Sequence, residues 1–190
     1  ALSYARTFDL LVMQHPEVVE LIEDGVMTEG EIATRLGLLS APAEAEVMMV
    51  ERDLRLVALT GGRYHAAHVS TAATVDVIRN AKRDGLNVTC DTAPHYFALN
   101  ETAIGDYRTF AKVSPPLRSE QDRQAIVDGL KDGVIDAIAS DHSPYDQDSK
   151  RLPFAQATFG IVGLETLLPL TLELYHNGYM TLLEALRKVT

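Results

Sequence analysis

The sequence has little of what several protein classes require. Only one of its 190 residues is cysteine, which excludes a disulfide framework and a cysteine-based zinc site. No apolar run approaches the roughly 18 residues of a membrane-spanning helix, and no signal-peptide pattern opens the sequence. The net charge of -10 at pH 7 argues against a nucleic-acid surface, because phosphates require a basic face. We expect no nucleic-acid or membrane partner.

The remaining composition is that of an ordinary globular protein. Hydrophobic residues make up 46% and charged residues 23% of the sequence, which excludes disordered, collagen-like and coiled-coil classes. The length allows about one domain with a core. The single Cys90 falls in a predicted strand, where we expect a small buried hydrophobic side chain. A reducing, cytoplasmic location fits this cysteine content.

Short apolar runs alternate with longer amphipathic segments. Strands are predicted at residues 10–13, 64–69, 87–92 and 135–140, and helices at residues 31–37, 43–59, 71–83, 119–133, 163–175 and 182–189. This alternation predicts an α/β fold with a parallel sheet. A complete eight-stranded barrel needs about 250 residues, so the fold is either a small open α/β domain or part of a barrel. The first residues resemble the end of a helix and the sequence stops inside another, which suggests a fragment.

Individual residues predict where several helices begin and end. Thr28 and Glu31 have the spacing of a capping box for the first predicted helix, which should stop near Gly37. Ser119 is predicted to cap the helix that follows it. Pro169 is expected to kink or end the helix in which it falls.

Three predicted strands end in residues that can bind a metal, namely His68, His95 and Asp141. In a parallel α/β sheet these carboxyl ends meet at one edge. Neutral imidazoles and a carboxylate suit zinc, and a carboxylate beside an activated water can accept and return a proton. The alternative is ordinary: each histidine is a hydrogen-bonded or exposed side chain, and Asp141 caps the turn before Ser143 and Pro144.

Other polar residues near these positions have less specific interpretations. Strand alternation places His65 on the face opposite His68, and His142 on the face opposite Asp141. We therefore expect His65 and His142 to pack against or support the site. The direction of His15 stays open because Pro16 follows it. Arg118 is expected to form a local salt bridge rather than to bind an anion.

Six ordered motifs together resemble the bacterial class I dihydroorotases of the amidohydrolase superfamily, over nearly the whole chain. They lie at residues 25–30, 68–71, 92–96, 112–118, 135–144 and 160–166. The resemblance implies a (β/α)₈ TIM-like barrel with a small β domain built from both chain ends. Residues 1–190 would then be a single partial barrel domain, the later part of the barrel, without the family's first strands and C-terminal return.

The resemblance also implies a reaction and a site. The family interconverts N-carbamoyl-L-aspartate and L-dihydroorotate in pyrimidine synthesis. By resemblance, His68, His95 and Asp141 would ligate zinc, and Asp141 would also act as general base and acid. Substrate-binding positions of the family correspond to Ser114, Tyr145, Phe159 and Gly160.

The sequence departs from the family pattern at several positions. The family's His-x-His pair is not in this chain, and a catalytic zinc without it would lack ligands. Val18 stands where the family has a metal-bridging aspartate, which favours one zinc ion over two. Ser114 replaces an asparagine and Tyr145 replaces a histidine, which would change the substrate carboxylate pocket. Tyr96 replaces the second histidine of Thr-Pro-His-His.

These departures leave two alternatives to a dihydroorotase. One is a non-catalytic dihydroorotase-like subunit that serves as a structural partner of aspartate transcarbamoylase. The other is a hydrolase of hydantoin or allantoin rings, whose members usually carry a metal-bridging carboxylated lysine. Residues 10–16 contain no lysine, which ranks this alternative lower. The partners that the resemblance allows are a small-molecule substrate, a second copy in a homodimer, and aspartate transcarbamoylase.

Overall fold

The chain folds around a parallel sheet. The structure, a computed structural model, describes residues 1–190. It has six strands: β1 (Leu11–Gln14), β2 (Met27–Thr28), β3 (Ser40–Ala41), β4 (Arg63–Ala66), β5 (Val88–Thr92) and β6 (Ala137–Ile138). Strands β1, β4, β5 and β6 form one sheet in that order, and every pairing is parallel. Strands β2 and β3 pair separately. Each main strand therefore lies beside the next main strand of the chain, as in a section of a barrel wall.

Ten α-helices surround the strands. They are α1 (Leu2–Thr7), α2 (Val19–Ile22), α3 (Glu31–Leu36), α4 (Glu44–Thr60), α5 (Ala72–Arg83), α6 (Pro94–Ala98), α7 (Glu120–Lys131), α8 (Gln147–Lys150), α9 (Leu164–His176) and α10 (Leu182–Arg187). Two short 3₁₀ helices span Glu101–Ile104 and Thr109–Ala111. None of the helices is both long enough and apolar enough to cross a membrane.

The predicted strands are present, but two of them end early. The strand predicted at residues 64–69 ends at Ala66, and that predicted at 135–140 shortens to Ala137–Ile138. The physical reason lies just beyond each strand, because His68 has a φ of 57° and Asp141 a φ of 44°. Left-handed backbone cannot continue a strand.

A predicted capping residue starts a helix only where its side chain and backbone are not used in other pairings. Ser119 and Asp122 form the predicted capping box at the start of α7. The capping box predicted at Thr28 is wrong: Thr28 pairs with Ala41 in the small sheet, and α3 begins after Gly30 without a side-chain cap. Pro169 lies inside α9 and does not end it.

One face of the sheet is covered by helices, and the other is exposed at the edge strand β1. Tyr64, Ala66 and Cys90 belong to a core of 20 buried residues between the sheet and its helices, and Val12 packs against it. Alternation turns the neighbouring Leu11 and Met13 to the other face, where they are 44% and 64% exposed. Further along the sheet, His65 and Asp91 on this same face are buried.

Candidate metal centre

Four residues that follow consecutive strands of the main sheet lie together at its carboxyl edge. Nε2 of His68 lies 3.8 Å from Oδ1 of Asp141, and Nε2 of His95 lies 3.5 Å from Oδ2 of the same carboxylate. The ring of His15 stands edge-on to that of His68, with 5.8 Å between centroids. The fold thus brings together His68, His95 and Asp141, and adds His15, whose direction the sequence left open. We call His15, His68, His95 and Asp141 the strand-end cluster.

The chemistry of His95 fits a metal ligand. Its side chain is 4% exposed, and its Nε2 atom has no hydrogen-bond partner. Burial, and secondarily the charge of His68, lower the pKa of His95 to about 3. The imidazole is therefore neutral at neutral pH. A buried polar atom without a partner is rare in folded proteins, and a metal ion would satisfy it.

The separations within the strand-end cluster are wider than those of an assembled metal site. No group of three or more histidine, cysteine, aspartate or glutamate side chains is close enough to enclose a metal ion. Neighbouring ligands of tetrahedral zinc lie about 3.3 Å apart when each is about 2.0–2.1 Å from the metal. The distances of 3.5 Å and 3.8 Å to Asp141 exceed that value by a few tenths of an ångström.

Asp91, in β5, holds His68 in place and was not singled out from the sequence. Its Oδ1 atom accepts from the backbone N–H of His68 at 2.8 Å and lies 3.0 Å from Nδ1 of the same residue. Burial acts to lower the pKa of His68, but the hydrogen bond and charge of Asp91 outweigh it and raise this pKa. Burial would raise the pKa of Asp91, yet its hydrogen bonds with His65 and His68 hold it far below its usual range.

His65 corrects a prediction based on strand alternation. Its Nε2 atom lies 2.8 Å from Oδ2 of Asp91, so His65 and His68 contact the same carboxylate and do not lie on opposite faces. Alternation fails because β4 ends at Ala66 and the left-handed backbone of His68 redirects its side chain. The signal for Asp91 in the sequence is a carboxylate inside an otherwise uncharged strand.

The segment around Asp141 is fixed by close packing with the start of α9. Nδ1 of His142 accepts the backbone N–H groups of Gly163 and Leu164, both at 3.1 Å, so His142 has the supporting role expected of it. A Cβ atom at Gly163 would lie 2.1 Å from the carbonyl oxygen of Ser140, so only glycine fits there. Burial raises the pKa of Asp141, opposed by the charges of His68 and His15.

The residues predicted to bind substrate fall into two groups. Ser114 and Phe159 line one cavity, and Gly160 packs against Tyr145. The Ser114 hydroxyl donates to Oε1 of Glu17 at 3.1 Å, and the Ser114 carbonyl lies 3.3 Å from Nε2 of His15. Glu17, Ser114 and Phe159 line a cavity of about 190 Å³, which thus adjoins the strand-end cluster. Gly160 has a φ of 137°, and a Cβ there would lie 2.8 Å from the ring of Tyr145.

Two buried cationic side chains, Lys112 and Arg118, stabilise the loops around the predicted substrate-binding residues. Nζ of Lys112 donates to the carbonyls of Phe154, Ala155 and Ala157 at 2.7–3.1 Å, and lies 4.4 Å from the ring centroid of Phe159. Arg118 lies 3.7 Å from the buried carboxylate of Glu46. Arg118 therefore forms a salt bridge, as expected, but its partner in α4 is distant in the sequence and not local.

Cys90 is buried within the core, as predicted. Burial is the main cause that raises the pKa of its thiol to about 12. The thiol is therefore protonated at neutral pH and unsuited to act as a nucleophile or a metal ligand.

Comparison with known proteins gives close relatives by sequence. The chain is 48% identical over 191 residues to the dihydroorotase of Anaplasma phagocytophilum (strain HZ), covering 100% of this chain and 43% of that protein. It is 50% identical over 190 residues to the dihydroorotase of Syntrophotalea carbinolica, covering 100% of this chain and 45% of that protein. The resemblance noted above is confirmed, and the chain spans less than half the length of these relatives. No protein-family model matches the chain.

Comparison with solved structures identifies the fold. A dihydropyrimidinase from Brevibacillus agri NCHU1002 matches with a TM-score of 0.86 and 25% identity, covering 100% of this chain and 43% of that chain. The L-hydantoinase of Arthrobacter aurescens matches with a TM-score of 0.86 and 26% identity, covering 98% of this chain and 43% of that chain. The predicted fold, the later part of an amidohydrolase-type barrel, is confirmed.

Proposed function

We propose that this chain forms part of a zinc-dependent cyclic amide hydrolase, a dihydroorotase, which interconverts N-carbamoyl-L-aspartate and L-dihydroorotate in pyrimidine synthesis. The observation that carries the proposal is the convergence of the Nε2 atoms of His68 and His95 on the carboxylate of Asp141. Identities of 48–50% to proteins named dihydroorotase, against 25–26% to the hydantoinase-type structures, favour dihydroorotate as the substrate ring.

The metal would be held by His68, His95 and Asp141, with His15 beside them. The unpartnered Nε2 of His95 supports this assignment. When bound, zinc supplies Lewis acidity, which polarises the scissile carbonyl and acidifies water. We propose one zinc ion, because Val18 has no atom that can bridge a second metal.

In the hydrolytic direction, water adds to the carbonyl carbon of the ring amide and the C–N bond breaks. Asp141 accepts the proton that the water loses and delivers it to the departing ring nitrogen. Ring closure reverses these transfers through the same carboxylate. Asp141 suits this role because it is only 19% exposed and lies between two imidazoles.

The substrate would lie against the cavity that adjoins His15. Ser114, oriented by its hydrogen bond to Glu17, and the backbone at Phe159 and Gly160 would contact the ring and its carboxylate. Tyr145, packed on Gly160, would border the same region. A serine hydroxyl is shorter than the asparagine side chain of the family pattern, so we expect altered contact with the substrate carboxylate.

The test is turnover by the full-length protein that contains this chain, purified without chelators and supplied with zinc. Carbamoyl aspartate, dihydroorotate, hydantoin and dihydrouracil are offered separately. Asp141→Asn should lower kcat by at least about 10²–10⁴-fold with an unchanged circular dichroism spectrum. Asp148→Asn, an exposed carboxylate in α8, is the matched control and should leave kcat unchanged. Normal turnover by the Asp141 variant would refute its role.

A second candidate is a non-catalytic partner of aspartate transcarbamoylase, favoured by Val18, Ser114 and Tyr145. Folded, zinc-supplied protein that turns over none of the four compounds would support it. Binding to the transcarbamoylase fits both candidates and does not separate them. An intact His-x-His pair upstream of this chain would favour the enzyme. We place either protein in the cytoplasm, and a homodimer is compatible with both.

A further inference from the structure

We propose that Asp91 is a positioning residue that fixes both the backbone and the ring orientation of His68, with His65 and Thr89 as its support. The inference rests on the zinc-dependent function proposed above and deepens it. It concerns a residue that touches no substrate and acts through another side chain.

Hydrogen-bond geometry assigns a direction to every member of this group. The Asp91 carboxylate can only accept, so His65 donates from Nε2 at 2.8 Å and His68 donates from Nδ1 at 3.0 Å. Nδ1 of a neutral His65 is then an acceptor, and the Thr89 hydroxyl donates to it at 2.7 Å. The direction of the His68 hydrogen bond is the same in neutral and protonated His68, because Nδ1 donates to Asp91 in both forms.

The consequence for His68 is a defined tautomer. When His68 is neutral its proton lies on Nδ1, so the lone pair of Nε2 is free, and Nε2 lies 3.8 Å from Oδ1 of Asp141. A histidine ligand oriented through its second nitrogen is a common arrangement at protein metal sites. Loss of the acceptor would let the ring adopt the other tautomer, with a proton where the metal should bind.

Asp91 also stabilises an unfavourable backbone conformation. His68 has a φ of 57°, which is uncommon for a residue with a Cβ atom. Oδ1 of Asp91 accepts its backbone N–H at 2.8 Å, so the oxygen that orients the ring also holds the main chain. Asp91 is 6% exposed and His65 8% exposed, so water does not readily replace these contacts.

The experiment uses the full-length protein and two measurements besides turnover. Zinc affinity is measured by competition with a chelating dye. The His68 tautomer is measured by nitrogen NMR of zinc-free, histidine-labelled protein, at a pH above the raised pKa of His68 where the ring is neutral. Asp91→Ala should weaken zinc binding about 10–100-fold and remove the preference for a proton on Nδ1. Asp91→Asn keeps an acceptor oxygen, so it should partly restore both properties. This variant also serves if the alanine variant does not fold.

The matched control is Asp136→Ala. Asp136 likewise accepts from a backbone N–H, that of Cys90 at 2.8 Å, and from a side chain, Lys82 at 2.7 Å, but it contacts no member of the strand-end cluster. It should leave zinc affinity unchanged. Equal zinc affinities in the Asp91 and Asp136 variants, or a neutral wild-type His68 that carries its single proton on Nε2, would overturn the inference.

The outcomes separate this inference from the proposed function. Wild-type protein that binds zinc without turnover, and binds it less tightly as Asp91→Ala, supports the positioning role and refutes the enzyme. Wild-type turnover with an Asp91→Ala variant of normal affinity and tautomer supports the enzyme and refutes the positioning role.

Discussion

Replacing Glu46 with alanine should destabilise the fold by about 3–5 kcal/mol, the usual cost of removing one partner of a buried ion pair. Glu46 in α4 is 1% exposed, and its partner Arg118 is 5% exposed. Nη2 of Arg118 lies 3.7 Å from Oε2 of Glu46. Truncation of Glu46 would leave the Arg118 guanidinium buried, with the hydroxyl oxygens of Ser70 and Thr28 as its remaining side-chain hydrogen-bond acceptors.

The contacts of Glu46 explain why the cost should be high. Its carboxylate accepts the backbone N–H groups of Ser70 at 3.1 Å and Thr71 at 3.2 Å, and it also accepts both hydroxyls. Each buried donor left without an acceptor costs about 1–3 kcal/mol. These costs overlap with that of the unpaired Arg118, because one rearrangement of the loop relieves several of them. The range of about 3–5 kcal/mol therefore stands for the whole cluster.

The assay is equilibrium urea unfolding of the full-length protein, followed by circular dichroism. Glu51→Ala is the matched control: it removes an exposed glutamate from the same helix and should change stability by less than about 0.5 kcal/mol. Glu46→Ala combined with Arg118→Met should cost less than the sum of the single changes, with a coupling of about 0.5–3 kcal/mol. A loss below about 1 kcal/mol in Glu46→Ala would refute the reasoning, because it would mean that water reaches Arg118.

Three further predictions follow from other parts of the fold. Gly163→Ala should lower the free energy of unfolding in urea by at least about 1–3 kcal/mol, since the new Cβ would lie 2.1 Å from the Ser140 carbonyl oxygen. Gly30→Ala is the control: its Cβ would have no neighbour closer than 3.7 Å, so it should cost less than about 1 kcal/mol. Hydrogen bonds from Arg123 and then Asn100 lower the pKa of Glu120 from 4.5 to about 2, so its contribution is present above pH 4.5 and disappears as the pH falls toward 2. Glu120→Gln should reduce the loss of unfolding free energy between pH 4.5 and 2, by less than about 1 kcal/mol because the pair is exposed. An unchanged dependence of the unfolding free energy on pH in this range would contradict this. The isolated chain should not unfold cooperatively as a monomer, because its sheet has free edges and its edge strand β1 exposes Leu11 and Met13. A single sharp transition of a sedimentation-verified monomer would contradict this.

Part of the candidate site could be predicted from the sequence. His68, His95 and Asp141 could be selected because each follows a predicted strand, and parallel strands end at one edge. Asp91 could not be identified from the sequence because its role depends on contacts with His65 and His68, which lie 26 and 23 positions away in the sequence. The orientation of His15 likewise depends on Ser114, 99 positions distant.

Features that depend on neighbours along the chain can be predicted from the amino-acid sequence alone. Hydrophobic periodicity is enough for the alternation of strands and helices, and short-range hydrogen bonds are enough for the cap at Ser119. The directions of the side chains beyond the strands depend on long-range contacts. The left-handed backbone at His68 and Asp141 is unfavourable locally and persists because distant groups hold it, Asp91 at one position and the tight packing of Gly163 on Ser140 at the other. The same long-range dependence overruled the local cap at Thr28, whose strand partner Ala41 is supplied by the fold.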